Sequence, residues 1–477
     1  MGLYTGKPQI TIPLWTVTAG KLALPISLDY NAGGIKVEEI ASWVGLGWSL
    51  NAGGVITRAM RGVPDEGVPG AYGAWGLYNQ YTIRPNGGYT QADHSQFYEY
   101  ATGKADSQPD LYYFNFNGKS GKFVTTNSQQ AVQLTPYQNL QVQPLATGWK
   151  IIAEDGTRYE FLHAESSTYS SISYATSHGS ATFNGTSSPE PQRYTSSWFL
   201  SRVISAANDT ITLKYSDYNL PTYSIASSET KYARLNPPTN THEVATTVAD
   251  NYTVNAMTLE HGKRLRRIEF ANGAVDFIIG AGRCDLPGDS VLAQIIVRQR
   301  RPGAAALAIV KTFSLEQRYL QSGYLSAPLQ LPGCSPTPDP LGQNLDYRPL
   351  LTAVTERSGT LSKPPYQFEY ILNSRQDGKS LPYRAPVANS TGNLAAQGYY
   401  AQDHWGYYNG QNTNTTLVPP LKTAYVTSEP LKLPGANRSP DLAYARIGSL
   451  TNITYPTGAA PALSGSCTIS YLPTTCG

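Results

Sequence analysis

The sequence predicts an all-β fold, a large multi-stranded antiparallel assembly of sandwich or shell-like sheets with long loops and little helix. Three observations point there. Runs of alternating apolar and polar residues recur along the chain, separated by Asn-Gly, Asp-Gly and related pairs that supply the positive φ angles of tight hairpins. Tyrosine (34), glycine (43) and proline (34) are abundant while 14 % of residues are charged, a composition that suits half-buried strands and frequent turns. Long Glu/Lys/Ala/Leu stretches of helical period are missing.

Residues 10–17 and 22–30 read as an antiparallel pair turning at Ala19-Gly20. Trp43-Val-Gly-Leu-Gly-Trp48 follows. A helix would lose about 1 kcal/mol at each interior glycine, so the segment reads as extended chain bending closely past other backbone. Gly45 and Gly47 make the room, and Trp43 and Trp48 anchor it. Gly53 and Gly54 close a turn before a strand that starts at Val55. Residues 67–110, rich in Gly, Tyr and Gln, form a surface excursion. Two hairpins come next: 111–116 and 119–124 around Asn117-Gly118, and 149–154 and 157–161 around Asp155-Gly156. Residues 197–204 and 210–215 flank Asn208-Asp209, and 264–270 and 274–279 flank Asn272-Gly273. Further strands are expected over 292–298, 307–320, 350–356 and 365–372, with proline-rich loops at 331–345 and 380–398, and 450–458 reads as a strand into a turn.

At 477 residues the chain exceeds what a single core needs. The pattern divides it into an N-terminal β region with the Trp/Gly-rich segment (1–162) and a Ser/Thr-rich loop or insertion (163–195). A second β region continuous with the first (196–458) and an atypical tail (459–477) follow. The net charge of +3 is small, and the basic run Lys263-Arg-Leu-Arg-Arg267 alternates with apolar strand positions, so it reads as a solvated strand flank and not a nucleic-acid surface. Cys284, Cys334, Cys467 and Cys476 have no CxxC spacing for zinc or redox work. Cys467 and Cys476 are close enough in sequence to close a small loop, and Cys284 and Cys334 can pair only if the intervening strands bring them together. Low charge with abundant Thr, Asn, Ser and Tyr suits an extracellular or cell-surface location, where such bridges persist. No apolar run reaches membrane-spanning length. The N-terminus has no signal-peptide core while strand-like sequence starts almost at once, so an export signal is expected upstream.

No catalytic, cofactor or metal residue emerges. Gly45 and Gly47 lack the Walker and dinucleotide spacings, the histidines form no HExxH group, and there is no GxSxG elbow. Trp75 and Tyr78 of the excursion could stack on sugar rings, which gives a carbohydrate-binding or adhesion reading. Asp403, His404, Trp405, Gly406, Tyr407 and Gly410 form the densest polar and aromatic cluster of the second half. Its structural reading is an aromatic corner; its functional reading is a ligand site at Asp403, His404 and Tyr407. Adjacent residues of a strand point to opposite faces, which argues against an Asp403-His404 acid/base pair. Self-association through strand edges, as a surface or filament subunit, is a further possibility for a chain with this many strands.

The chain resembles the N-terminal region of the RHS or YD-repeat proteins of Bacteroidota. The segments that carry the resemblance are 3–13, 24–30, 35–37, the long run from Ala41 to Arg58, 114–123, 155–161, 402–410 and 453–458. In that family the repeats wind into a hollow shell that can enclose a C-terminal toxin or effector, and this region precedes them. The resemblance implies a structural scaffold, plug or attachment module whose partner is the rest of a larger polypeptide or other surface proteins. It offers no catalytic residue to carry over. Ala459 follows Gly458 where the family continues Tyr-Pro-Thr-Gly-Gly, so a truncated relative or an excerpt of a longer polypeptide is expected.

Overall fold

The computed structural model describes residues 9–62, 64–66, 76, 90–102, 105–125, 132–177, 180–182, 192–235, 244–303, 306–321, 324–328, 346–384, 387–388, 394–395, 398–422, 432–433 and 435–457. Trp75, Tyr78, Cys334, Cys467, Cys476, the 331–345 loop and the 459–477 tail lie outside them. Antiparallel strands dominate, as the sequence predicts.

Gln9–Ala19, Leu22–Asn31 and Trp48–Asn51 form a three-stranded sheet. Its middle strand alternates in its apolar residues: Leu22, Leu24, Ile26, Leu28 and Tyr30 are all buried, and Ser27 is the one buried residue of the opposite parity. The first strand changes parity. Ile12 and Leu14 are buried in its first half, Val17 and Ala19 in its second. Pro13 pairs with Ser27 and Trp15 with Ile26, which leaves Leu14 as an extra residue. This bulge keeps one face apolar although the apolar positions slip by one. Ala19 pairs with Leu22, so the turn is Gly20-Lys21, one residue later than expected.

The second ladder is larger. From one edge, Leu450–Thr454, Tyr366–Tyr370, Arg348–Ser358, Leu307–Gln321, Ser290–Arg300, Gly273–Gly282, Val244–Phe270 and Thr210–Leu235 pair in that order. At Gln192–Ile204 it forks. One edge of that strand bonds Thr210–Leu235 through residues 202–204 and Gly54–Ala59 through residues 197–199, while the other bonds Arg158–Ser177. The latter forks in turn, to Gly148–Ile152 over residues 158–161 and to Val244–Phe270 over residues 166–176, so the pairing closes on itself. Register shifts at Glu160/Phe161, Phe161/His163 and Glu165/Ser166 mark the fork. Bulges of this kind bend a strand and let it serve two sheets. Gly54–Ala59 continues the ladder to Leu111–Phe116, Lys119–Thr125 and Val132–Thr135.

Four expectations change. The Ser/Thr-rich stretch 163–195 is not simply a loop, and the 162/163 boundary falls inside a strand, because Arg158–Ser177 runs straight through it and Gln192–Ile204 opens before its end. Thr168, Tyr169, Ile172 and Tyr174 are strand formers, and the backbone there is bonded to residues 251–261. Ladder hydrogen bonds thus stand in for the apolar burial its composition lacks. Regions 1–162 and 196–458 accordingly share one ladder through the Gly54–Ala59 and Arg158–Ser177 pairings. Gly273, expected in a turn, pairs with Phe270 and Gln299 inside the sheet. The 67–110 excursion carries a helix, Gln91–Ala101. Thr90 Oγ1 accepts from Asp93 N at 3.4 Å and Asp93 Oδ2 accepts from Thr90 N at 2.6 Å, the reciprocal cap that a Thr-x-x-Asp spacing encodes.

One apolar cluster spans both sheets, from Ile12 to Leu450. The two predicted hairpins supply its aromatic centre. Tyr112 stacks on Phe123 at 5.0 Å, Trp149 meets Phe123 edge-on at 5.0 Å and Trp198 at 6.0 Å, and Phe116 meets Phe161 at 5.5 Å. Asn117 and Gly118 both have positive φ, 43° and 76°, which fits the two-residue hairpin turn. No helix among the described residues is long and apolar enough to cross a membrane.

Leu14, the extra residue of the bulge, is itself buried in the core. Leu14→Ala should lower stability by about 2–5 kcal/mol, read as a denaturant midpoint; an unchanged midpoint would show that the bulge residue does not pack into the core.

Candidate functional site

The chain between Asn31 and Trp48 leaves the first sheet and passes over the second. Leu46 N donates to Pro349 O at 2.7 Å and Leu292 N donates to Trp43 O at 2.8 Å. Gly45 has φ +150°, and a Cβ there would lie 2.8 Å from Leu351 N, so only glycine lets the two backbones approach. At Gly47, φ +74°, a Cβ would meet the Tyr30 ring at 2.7 Å. Trp48 is 2 % exposed. Its ring packs between Tyr30 (5.2 Å) and Phe368 (4.7 Å), its Nε1 donates to the Tyr370 hydroxyl at 2.8 Å, and that hydroxyl donates to Leu351 O at 2.6 Å. Trp43 is buried beneath the Arg264 guanidinium, 5.4 Å from its ring. Gly53 and Gly54 then lead into the strand that pairs Gly54 with Phe116.

Charged side chains fasten this passage, and sequence patterning singled out only Arg264 among them, as part of a solvated strand flank, whereas it is mostly buried against Trp43 and Asp289. Arg283 makes a two-point contact with Asp285 (3.1 and 2.6 Å), bonds Asp289 at 2.9 Å and donates to Ala41 O at 2.9 Å. Arg264 reaches the same Asp289 at 2.9 Å. Arg384 donates to Asp285 O at 2.7 Å, and Arg348 to Val37 O at 2.9 Å and Pro382 O at 3.1 Å. Burial disfavours the Arg348 charge and, with the neighbouring Arg384, pushes its pKa down. Cys284 lies in the middle of this group and is disulfide-bonded; its N–H donates to the Tyr319 hydroxyl at 2.7 Å.

The second candidate, 403–410, is a turn and not the strand its alternation argument assumed. Asp403 Oδ1 accepts from Trp405 N at 2.8 Å and Tyr407 N at 3.0 Å, and Asp403 N donates to Tyr407 O at 2.8 Å. Asp403 is therefore buried in capping its own turn, whereas His404 is exposed, so the two form no acid/base pair. Arg438 donates Nε to Asp403 O at 3.1 Å. Gly406 O accepts from Val37 N at 3.0 Å, and the Tyr407 hydroxyl donates to Gly33 O at 2.7 Å. Gly410 lies against the Tyr444 ring. The result is a turn bolted to residues 33–37 that holds Trp405 out, 62 % exposed.

A third group surrounds Asp110. Its Oδ2 accepts from Arg58 Nε at 2.7 Å and Asp65 N at 3.2 Å, its Oδ1 from Arg61 N at 2.8 Å, and its own N–H donates to the Asp65 carboxylate at 3.1 and 3.2 Å. Arg58 also clamps Glu66 with two bonds of 2.8 and 2.6 Å. Burial, then the Asp110 charge, push Asp65 up to about 7. Burial raises Glu66 too, but the Arg58 hydrogen bonds and charge outweigh it and hold that carboxyl below its ordinary value. A polar surface groove of about 320 Å³ lies beside the Asn117-Gly118 turn, lined by Lys119, Gln138, Asn139 and Glu154 among others, with Gln138 Nε2 already donating to Ser120 O at 2.9 Å. Among the described residues no group of three His, Cys, Asp or Glu side chains could hold a metal ion.

Trp48→Ala should lower stability by about 3–5 kcal/mol, and Trp48→Phe by less, since it keeps the ring contacts but leaves the Tyr370 hydroxyl without its donor; denaturant midpoints of the three proteins check the order. Asp65 is an acid whose folded value lies above its unfolded one, so its contribution to stability is largest below about pH 4 and falls as pH rises to about 7. Asp65→Asn should flatten that part of the stability profile, and an unchanged profile would remove the assignment.

No family model matches the chain, and no curated protein matches it. Among solved structures, it is similar at 11 % identity and TM-score 0.32 to a crystal structure of TcdB2-TccC3, over 76 % of this chain and 16 % of that one. A Tc holotoxin pore of Photorhabdus luminescens gives 12 % identity and TM-score 0.33 over the same shares. The chain thus spans about one sixth of the length of the structures it is similar to.

Proposed function

We propose that the chain is a non-enzymatic structural module of an exported RHS/YD-repeat-like polypeptide, extracellular or at the cell surface, and serves as the plug or attachment region preceding a toxin-enclosing shell. The observation that carries this reading is where the segments of family resemblance meet. Residues 35–37 bond the 402–410 turn through Val37 N and Gly406 O. Tyr30 of 24–30 accepts Leu450 N at 2.9 Å, just before 453–458. The 114–123 and 155–161 hairpins share the Phe116–Phe161 contact, and the 41–58 run crosses the second sheet at Pro349. Segments separated by hundreds of residues therefore converge on structural joints. Asp403, the most acid-like residue among the candidates, spends its carboxylate on backbone amides.

Electron microscopy of the polypeptide encoded by the whole reading frame around this chain tests the proposal. Density for this region continuous with a β-walled shell supports it. A free-standing unit, or hydrolytic turnover abolished by changing Asp403 and His404 to alanine, overturns it.

The exposed, firmly held Trp405 favours a second reading, carbohydrate binding or adhesion. Trp405→Ala should then erase glycan-array binding while leaving the unfolding midpoint unchanged, and an array silent for the unaltered protein sinks this reading.

A further inference from the structure

Thr210–Leu235 and Val244–Phe270 pair from Ile211 opposite Phe270 to Leu235 opposite Val244, a long hairpin arm. Arg158–Ser177 runs beside it over residues 166–176. Two glutamates meet at the root of this arm. Ser167 is opposite Glu260, and Glu165 lies two residues away on the same face of its strand, which makes the glutamates diagonal neighbours within side-chain reach. Glu165 is 9 % exposed, so its carboxyl faces the Glu260 side of the seam away from water. Two carboxyls brought together in this way can bond each other only when one of them carries a proton.

The surroundings leave the pair to itself. From Gln192–Ile204, Ser196 Oγ donates to Glu165 Oε1 at 3.4 Å, and Ser197 is the register partner of Glu165. From the arm, the Tyr218 hydroxyl donates to Glu260 Oε1 at 2.5 Å. The cation facing them is Arg264, which lies on the Tyr218 ring at 4.2 Å and is committed to Asp289 at 2.9 Å. His261 and Lys263, the other titratable groups at this root, are engaged with Asn219 and Asp217.

We propose that Glu165 and Glu260 form a proton-dependent clasp: one shared proton holds Arg158–Ser177 against Val244–Phe270 at the root of the arm, and its loss to solvent loosens that seam. Burial, then the Glu260 charge, push Glu165 up to about 7 from an ordinary 4.5. Because the folded value is the higher one, the clasp is strongest below about pH 4.5 and weakens as pH rises to about 7. Above that range the effect levels off.

Hydrogen exchange of the full chain, corrected for intrinsic pH dependence, reads the seam. Amides of residues 165–168 and 259–262 should open at least about tenfold more at pH 8 than at pH 5. Glu165→Gln keeps a donor toward Glu260 but does not titrate, so it should level that profile. Carbon-13 titration of the Glu165 carboxyl in the unaltered protein gives an independent reading that survives a folding defect in the variant, with a midpoint near 7 expected. A midpoint in the ordinary carboxylate range, or an E165Q exchange profile as steep as that of the unaltered protein, overturns the clasp.

Discussion

The close passage of the Trp43-to-Trp48 backbone against the Arg348–Ser358 strand is the contact on which the rest of the architecture depends. Leu46 and Pro349 share a main-chain hydrogen bond across some three hundred positions of sequence, and Gly45 clears the space for it. Hydrogen bonds between backbones are short and directional, so they fix the spacing of the two sheets more tightly than side-chain packing does. Trp48 then turns this approach into a seal. Its indole fills the gap between Tyr30 of the first sheet and Phe368 of the second, and its N–H finds the Tyr370 hydroxyl.

That arrangement creates a problem of its own. Irregular chain lies inside the molecule, and its carbonyls have no ladder partner there. Arginines solve it. The buried Arg283, Arg348 and Arg384 and the half-buried Arg438 each donate to the main-chain oxygen of a distant segment: Ala41, Val37 with Pro382, Asp285, and Asp403. A guanidinium has five donors in a fixed fork and so can satisfy a carboxylate and a carbonyl together. Buried ion pairs of this sort add little net stability against an apolar alternative, since desolvation offsets the attraction. Their effect here is to specify which irregular segment docks where.

The 403–410 turn is held by its own aspartate, by Arg438 and by residues 33–37, so Trp405 projects from a rigid base. The arm formed by Thr210–Leu235 and Val244–Phe270 is paired from Ile211 opposite Phe270 to Leu235 opposite Val244. The fork at Arg158–Ser177 and Gln192–Ile204 carries three register shifts.

Local pattern by itself determined the all-β class, most hairpins and the extended nature of the Trp/Gly segment. Turn chemistry and period-two burial act within a few residues, as Asn117-Gly118 and the Leu22–Asn31 strand illustrate. The helix Gln91–Ala101 was not foreseen, because the glycine and tyrosine before it read as an excursion without helical period. Where local signals conflict with pairing, tertiary structure decided. Residues 163–177 are too polar to advertise a strand, yet they form one because Gln192–Ile204 pairs with their start and residues 251–261 with 166–176. The alternation at Asp403 and His404 suggested opposite faces of a strand, but Asp403 folds back onto amides two and four residues ahead. Arg283, Arg348 and Arg384 did not stand out in the sequence. Arg283 has Asp285 and Asp289 close by along the chain, but the carbonyl it holds, Ala41 O, and those held by Arg348 and Arg384 come from segments that only the fold brings within reach.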